Sequence, residues 1–269
     1  MKIRRLIWDI ETSPNIGAFW RAGFKVRIAP ENIIRERAII CISYKWEGES
    51  QVYSLRWRKG CDKQLLKTFM KVALQADELV AHNGDRYDIK WIAARCLIHG
   101  LEAYPEWKTV DTLAIARRRF ELNSYRLDYI AQLLLGKGEG KIKTEFAWWL
   151  NITLNNCEES LDKMVHYCEK DVVILERVWK RLEPFHKPKS HAGVMAGEDR
   201  WTCPWSGSTN VVKSKTRVTT AGTVRHEMIS KDFNPKRYFT INDAAYSRYQ
   251  EHKEDERRQK REARRANKS

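Results

Sequence analysis

No run of eighteen apolar residues occurs in this chain of 269, so none of it is expected to cross a membrane. Cysteine is sparse. The six thiols show no paired spacing, which argues against a disulfide framework and fits free cysteines in a reducing compartment. A secretory leader is not expected either. Met1-Lys2-Ile3-Arg4-Arg5 runs into a short apolar stretch broken by Asp9 and Glu11, the pattern of a strand. A cytoplasmic location is the expectation. Acid is in deficit, with 35 Asp and Glu against 50 Lys and Arg, a net charge of +15. From Pro184 onward the balance is 19 basic to 10 acidic, against 31 to 25 before it. A surplus of this kind favours a polyanionic partner, most often nucleic acid.

What is present is enough for a large core: 42% of residues are hydrophobic and eleven are tryptophan. Residues 3–10 read as a central strand ending in Asp9-Ile10-Glu11-Thr12. An aromatic loop with Phe19, Trp20 and Phe24 follows, then a strand over 38–46 and its hairpin partner over 51–56. A helix is predicted from about Asp62 to Leu74, then a short strand over 78–81. That strand runs into His82-Asn83-Gly84-Asp85-Arg86-Tyr87-Asp88, where Asn-Gly signals a turn before the next helix. Asp85 reads as a solvated turn residue. Asp111 is expected to cap a helix over 112–119, and Asn123 or Ser124 to cap another. The long stripe Leu161, Met164, Val165, Cys168, Val172, Leu175, Trp179 and Leu182 predicts an amphipathic helix from near Asn156 to Leu182. Together these elements make an α/β domain with a mixed sheet over residues 1–183.

Four acids stand out on three of these elements. Asp9 and Glu11 are two apart on an extended chain and face the same way. Asp88 opens a helix just past a strand end, and Asp171 edges the buried stripe of the late helix. Like charges so placed are disfavoured unless a cation lies among them. Their hard oxygens suit Mg²⁺ or Mn²⁺, and four carboxylates can hold two ions roughly 3.5–4 Å apart, an arrangement used for phosphodiester hydrolysis.

Asp9-Ile10-Glu11-Thr12, His82-Asn83-Gly84-x-x-Tyr87-Asp88 and Tyr167-x-x-x-Asp171 resemble, in order and context, the three exonuclease motifs of the DEDD (DnaQ-like) superfamily. Ser124-Tyr125-Arg126-Leu127-Asp128-Tyr129-Ile130-Ala131 is similar to the proofreading exonuclease domain of family B DNA polymerases. The whole chain looks most like stand-alone phage-encoded members, for which the compartment would be the host cytoplasm. The resemblance implies a ribonuclease H-like fold and 3′-5′ removal of nucleotides with two Mg²⁺ or Mn²⁺ ions. It implies Asp9, Glu11, Asp88 and Asp171 as metal ligands, with Tyr167 orienting the attacking water. Tyr167 is preferred to the neighbouring His166 because four residues back on a helix returns to the face of Asp171, whereas five points about 140° away. The expected partners are single-stranded DNA or 3′ ends of duplex DNA, and replication or recombination proteins. Asn83, Lys141 and Lys143 are candidate nucleic-acid contacts. A non-catalytic adaptor on a nuclease fold, and an RNA-directed or structure-specific nuclease, stay open as alternatives.

Residues 184–199, with Pro184 and Pro188, read as a linker, and 200–242 as a small module. Trp201-Thr202-Cys203-Pro204-Trp205-Ser206-Gly207-Ser208 resembles the first knuckle of a zinc ribbon, but Ser206 stands where the second cysteine would be. No cysteine lies near 228–233, where the second knuckle would fall, and His191 and His226 are distant candidates. A degenerate ribbon without zinc is therefore expected. Lys213, Lys215 and Arg217 on its hairpin are candidate DNA contacts. Residues 243–269 are polar on all sides and basic, a solitary helix or a disordered tail.

Overall fold

The computed structural model describes residues 3–21, 23, 27–102, 107–138 and 144–266. Lys141 and Lys143 lie outside the described residues. The chain divides into two compact units, Arg4–His186 and Met1–Ile3 with Lys187–Ser269.

In the larger unit, β1 (Arg5–Thr12) is followed by the short β2 (Ile16–Gly17) and β3 (Ile33–Arg35), which pair with each other. Then come β4 (Ile39–Trp46), β5 (Tyr53–Arg56), α1 (Lys63–Ala73), β6 (Glu78–Ala81) and α2 (Asp88–Ile98). β7 (Thr109–Asp111), α3 (Thr112–Arg119), α4 (Leu127–Leu135), α5 (Phe146–Asn155) and α6 (Glu158–Leu182) complete it. The main sheet has the order β5-β4-β1-β6-β7. β4 alone runs against the other strands, pairing antiparallel with both β1 and β5, while β1, β6 and β7 pair parallel, so the sheet is mixed.

Alternation along β1 sends its side chains to opposite faces. Leu6, Trp8 and Ile10 join α1 and α2 in one core, where Trp8 packs on Phe69 with ring centroids 4.9 Å apart. Ile7 faces α3, α4 and α6 on the other side. Asp9 and Glu11 share the parity of Ile7 and so face the α6 side, at the end of β1. The pairing of β1 with β4 shifts by one residue between Glu11 and Thr12, a bulge beside the two acids.

α6 is buried along the stripe that its sequence predicts. Its far end is held by polar ties: Lys45 pairs with Glu176, whose other oxygen accepts from the Gly48 amide at 2.7 Å, and the Trp179 indole donates to Glu47 at 2.7 Å. Three local differences from the sequence reading have physical causes. α4 begins at Leu127 with no side-chain cap, because Ser124 only approaches the Arg126 amide at 3.4 Å. α5 was not foreseen, and it is separated from α6 by Asn156 in the left-handed region at φ 50°. Asp62, read as the start of this helix, lies just before α1. Its buried carboxylate takes two hydrogen bonds from the Arg95 guanidinium at 2.7 and 2.8 Å, one from the Ile39 amide at 2.9 Å and one from His99.

In the smaller unit, α7 (Ala192–Met195) lies within the segment read as a linker. β8 (Val211–Val218), β9 (Val224–Ser230) and β10 (Arg237–Asn242) form an antiparallel sheet of order β10-β9-β8, followed by α8 (Asp243–Ala266). α8 is neither disordered nor solitary at its start. Ala245 and Tyr249, four apart, enter a core with Trp201, Cys203, Val211, Met228 and Ile241. The loop around residues 203–210 is closed by polar side chains: the Ser206 hydroxyl donates to Asp232 at 2.6 Å, and Asn210 donates to the other carboxylate oxygen at 3.1 Å. His226 sits between Thr216 and Asp243, and His191 accepts from the Val194 amide.

The Asp62 cluster yields a test. Burial alone would raise this carboxyl, but the hydrogen bonds from Arg95, the Ile39 amide and His99, with the Arg95 charge, outweigh it and hold its pKa below the ordinary value. A depressed folded-state pKa gives stability that is present above the unfolded value and lost as pH falls through the folded one. Asp62→Asn should cost about 3 kcal/mol at neutral pH in urea unfolding. The gap from wild type should narrow in acid.

Candidate active site

The site forms where β1 ends, where β6 turns into α2, and where α6 passes over them. Asp9, Glu11 and Asp171 each offer a carboxylate oxygen, and these oxygens lie within 4.8 Å of one another. Among the described residues this is the one group of three or more His, Cys, Asp or Glu side chains placed to share a cation. Asp171 is buried; Asp9 and Glu11 are partly exposed.

Asp88, the first residue of α2, is not one of these three, but it is buried and near enough to Asp9 to feel its charge. Burial raises its carboxyl pKa well above the ordinary value, the nearby Asp9 charge raises it further, and the Ile10 amide hydrogen bond opposes both. Asp85, three residues earlier, is exposed. The turn between them is tightly specified. A Cβ at Gly84 would lie 2.5 Å from the Ala81 side chain, so the chain can fold over the end of β6 only with glycine there. Asn83 takes a left-handed conformation at φ 67°, and its amide donates to Asp111 at 2.9 Å. The same Asp111 oxygen caps α3 through the Leu113 and Ala114 amides. His82 pairs with the Thr112 hydroxyl at 2.9 Å and donates through Nε2 to the Tyr125 carbonyl at 3.0 Å. Tyr87 meets Thr12 at 2.8 Å, joining this turn to the end of β1.

α6 supplies two further groups. Tyr167 is half-buried one turn before Asp171, against a cluster with Ile40, Cys41 and Cys168. His166 is exposed, its nearest carboxylate partner being Glu169 at 3.9 Å. Cys168 was foreseen only as an apolar position, yet its thiol lies 3.5 Å from the Asp9 carbonyl and 3.8 Å from an Asp9 carboxylate oxygen. Burial pushes the Cys168 thiol well up, and Cys41, Asp9 and Glu11 add to the shift, so it stays protonated and donates. Its spacing of three from Asp171 was the signal available in the sequence.

A profile of the RNase_H superfamily matches residues 35–183, more than half of the chain. The chain belongs to that superfamily. Asp88 and Asp171 of this RNase H-superfamily chain fall inside the matched span, and Asp9 and Glu11 precede it. The DNA polymerase of Thermococcus hydrothermalis is 22% identical over 210 residues, covering 65% of this chain and 12% of the polymerase. That of Thermococcus litoralis is 23% identical over 211 residues, with 65% and 12% covered. That of Thermococcus kodakarensis is 20% identical over 247 residues, with 79% and 13% covered. The chain thus spans about an eighth of the length of these relatives. A family B DNA polymerase from the archaeon Pyrobaculum calidifontis has the same fold, at TM-score 0.54 and 15% identity, over 68% of this chain and 25% of that one.

The donor set fits a divalent cation. It is all carboxylate oxygen, the hard-ligand chemistry of Mg²⁺ and Mn²⁺, and it brings two partly exposed acids up to buried Asp171, with buried Asp88 near Asp9. Since the folded-state pKa of Asp88 is raised, its burial destabilises the fold progressively as pH rises through that value. A cation that favours ionised carboxylates gains over the same interval. Addition of Mn²⁺ should therefore raise the melting temperature more at pH 8 than at pH 5, measured by calorimetry, and Asp88→Asn should reduce that difference.

Proposed function

We propose that this protein is a metal-dependent 3′-5′ exonuclease that hydrolyses the terminal phosphodiester bond of mostly single-stranded DNA and releases nucleoside 5′-monophosphates. The observation that carries this reading is the convergence of Asp9, Glu11 and Asp171, with Asp88 buried beside Asp9, on the superfamily's sheet. Its similarity to DNA polymerases supports DNA as the substrate and a replication setting, and the motif resemblance supports the 3′ polarity.

Asp9, Glu11, Asp88 and Asp171 would hold Mg²⁺ or Mn²⁺. When bound, such ions lower the pKa of water and offset charge on the phosphoryl and leaving oxygens. The protein's own groups set the geometry. Cys168 fixes the Asp9 carboxylate by donating to it, and the Ile10 amide does the same for Asp88. The Thr12–Tyr87 contact keeps the two acid-bearing segments together. Tyr167, on the same helix as Asp171, orients the attacking water through its hydroxyl. The water oxygen bonds to phosphorus and gives up a proton to solvent, the bond to the 3′ oxygen breaks, and that oxygen takes a proton from solvent, so the shortened strand leaves with a 3′-hydroxyl.

Asp9→Asn and Asp171→Asn should each fold and lose about a thousandfold in Mg²⁺-dependent hydrolysis. With a 5′-labelled oligonucleotide, the wild type should give a descending ladder. With a 3′-labelled one, it should give labelled mononucleotide from the start. Early release of 5′-labelled mononucleotide, or retained activity in Asp171→Asn, would contradict the proposal. Tyr167→Phe should slow the reaction roughly a hundredfold while His166→Ala leaves it unchanged.

A further inference from the structure

The sheet of the smaller unit has one face in its core and one in solvent, and a bulge decides which basic residues occupy which. Val212 pairs with Ile229 and Lys213 with Met228, but the register then skips Ser214, so that Lys215 pairs with Glu227 and Arg217 with Arg225. Parity therefore changes along β8. Lys213 shares the face of buried Met228, where its ammonium lies 4.8 Å from the Tyr246 ring centroid. Lys215 and Arg217 share the opposite face with Val212. The three candidates singled out on this hairpin thus divide between two faces.

The outer face can be read row by row from the pairing. One row is Val212, Ile229 and Tyr238; the next is Lys215, Glu227 and Thr240; the third is Arg217, Arg225 and Asn242. Tyr238 is 56% exposed, and the side chains of Lys215 and Arg217 are 54% and 62% exposed. Two cations share one carboxylate: Glu227 takes Arg217 at 3.0 Å and Lys215 at 3.7 Å, which sets both head groups over the sheet, and with Arg225 opposite Arg217 the face keeps a positive surplus.

We propose that this outer face binds a segment of single-stranded DNA, with a base stacked on Tyr238 against Ile229 and Val212, and phosphates on Lys215, Arg217 and Arg225. An aromatic ring beside a basic surface is what sequence-tolerant single-strand binding requires, because every base has a stacking face and every nucleotide a charge. A duplex hides its base faces and would use only the cations. An acidic protein surface would likewise have no use for the exposed ring among them. The binding goes beyond the hydrolytic reading and does not depend on it, since no carboxylate of the metal site takes part.

The test is fluorescence anisotropy of the full chain with a fluorescein-labelled oligothymidylate in the presence of EDTA, across a range of salt. Tyr238→Ala should weaken binding on the order of tenfold with the salt dependence unchanged. The triple variant Lys215→Ala, Arg217→Ala, Arg225→Ala should weaken it further and reduce the salt slope by about 2. Glu227→Gln should tighten binding. All of these side chains face solvent, so melting temperatures should match the wild type. Wild-type affinity in both Tyr238→Ala and the triple variant would overturn the proposal. So would a triple-variant loss with no effect of Tyr238→Ala and equal competition by duplex, which would mark a plain electrostatic patch. Hydrolysis of a short oligonucleotide with Mg²⁺, assayed alongside, separates the two readings: its absence would contradict the exonuclease while leaving these affinity differences to stand.

Discussion

Asp9, Glu11 and Asp171 held within reach of one another, with Asp88 near Asp9, repel one another; Asp88 and Asp171 are buried, burial makes Asp88 resist ionisation, and the larger unit holds each acid in place. Asp9 and Glu11 face the same way because they alternate with Ile10, whose side chain is locked in the opposite core. Asp171 is fixed by a helix buried along a whole stripe and tied at its far end through Glu176 and Trp179. Asp88 is placed by a turn that needs glycine at 84 and a left-handed residue at 83, braced by Asp111. A fold organised this way around mutual repulsion is rationalised by a cation, and the oxygen-only donor set points to a hard divalent one.

The parts of this arrangement with a strong period were legible in the sequence. The α6 stripe, the strand ending in Asp-x-Glu and the Asn-Gly turn before Asp88 each rest on local chemistry that survives folding unchanged. The parts that depend on distant partners were not. Asp62 reads only as the start of a helix, and only the folded chain brings Arg95 and His99 to it. Cys168 looks apolar until the end of β1 is laid beneath it. α5 has apolar residues at helical spacing, but Trp148, Trp149 and Ile152 gain their meaning from packing against the start of α6.

The smaller unit teaches the same lesson in strands. Lys213, Lys215 and Arg217 alternate as though they shared a face, and an unbulged strand would place them so. The extra residue at Ser214 separates them, and no feature of the local sequence announces it. The loop after Cys203 likewise shows how a closed loop can be held by side-chain hydrogen bonds: Ser206, Ser208 and Asn210 converge on Asp232. In α8, two aromatic and aliphatic positions in the first two turns are enough to dock a helix that is otherwise charged throughout.

The most direct test of the central claim is anomalous X-ray diffraction from crystals of the protein equilibrated with Mn²⁺. The account predicts manganese peaks bounded by Asp9, Glu11, Asp88 and Asp171, and their loss in Asp171→Asn. Saturating Mn²⁺ that leaves no peak among these carboxylates, or that binds elsewhere in the chain, would contradict it.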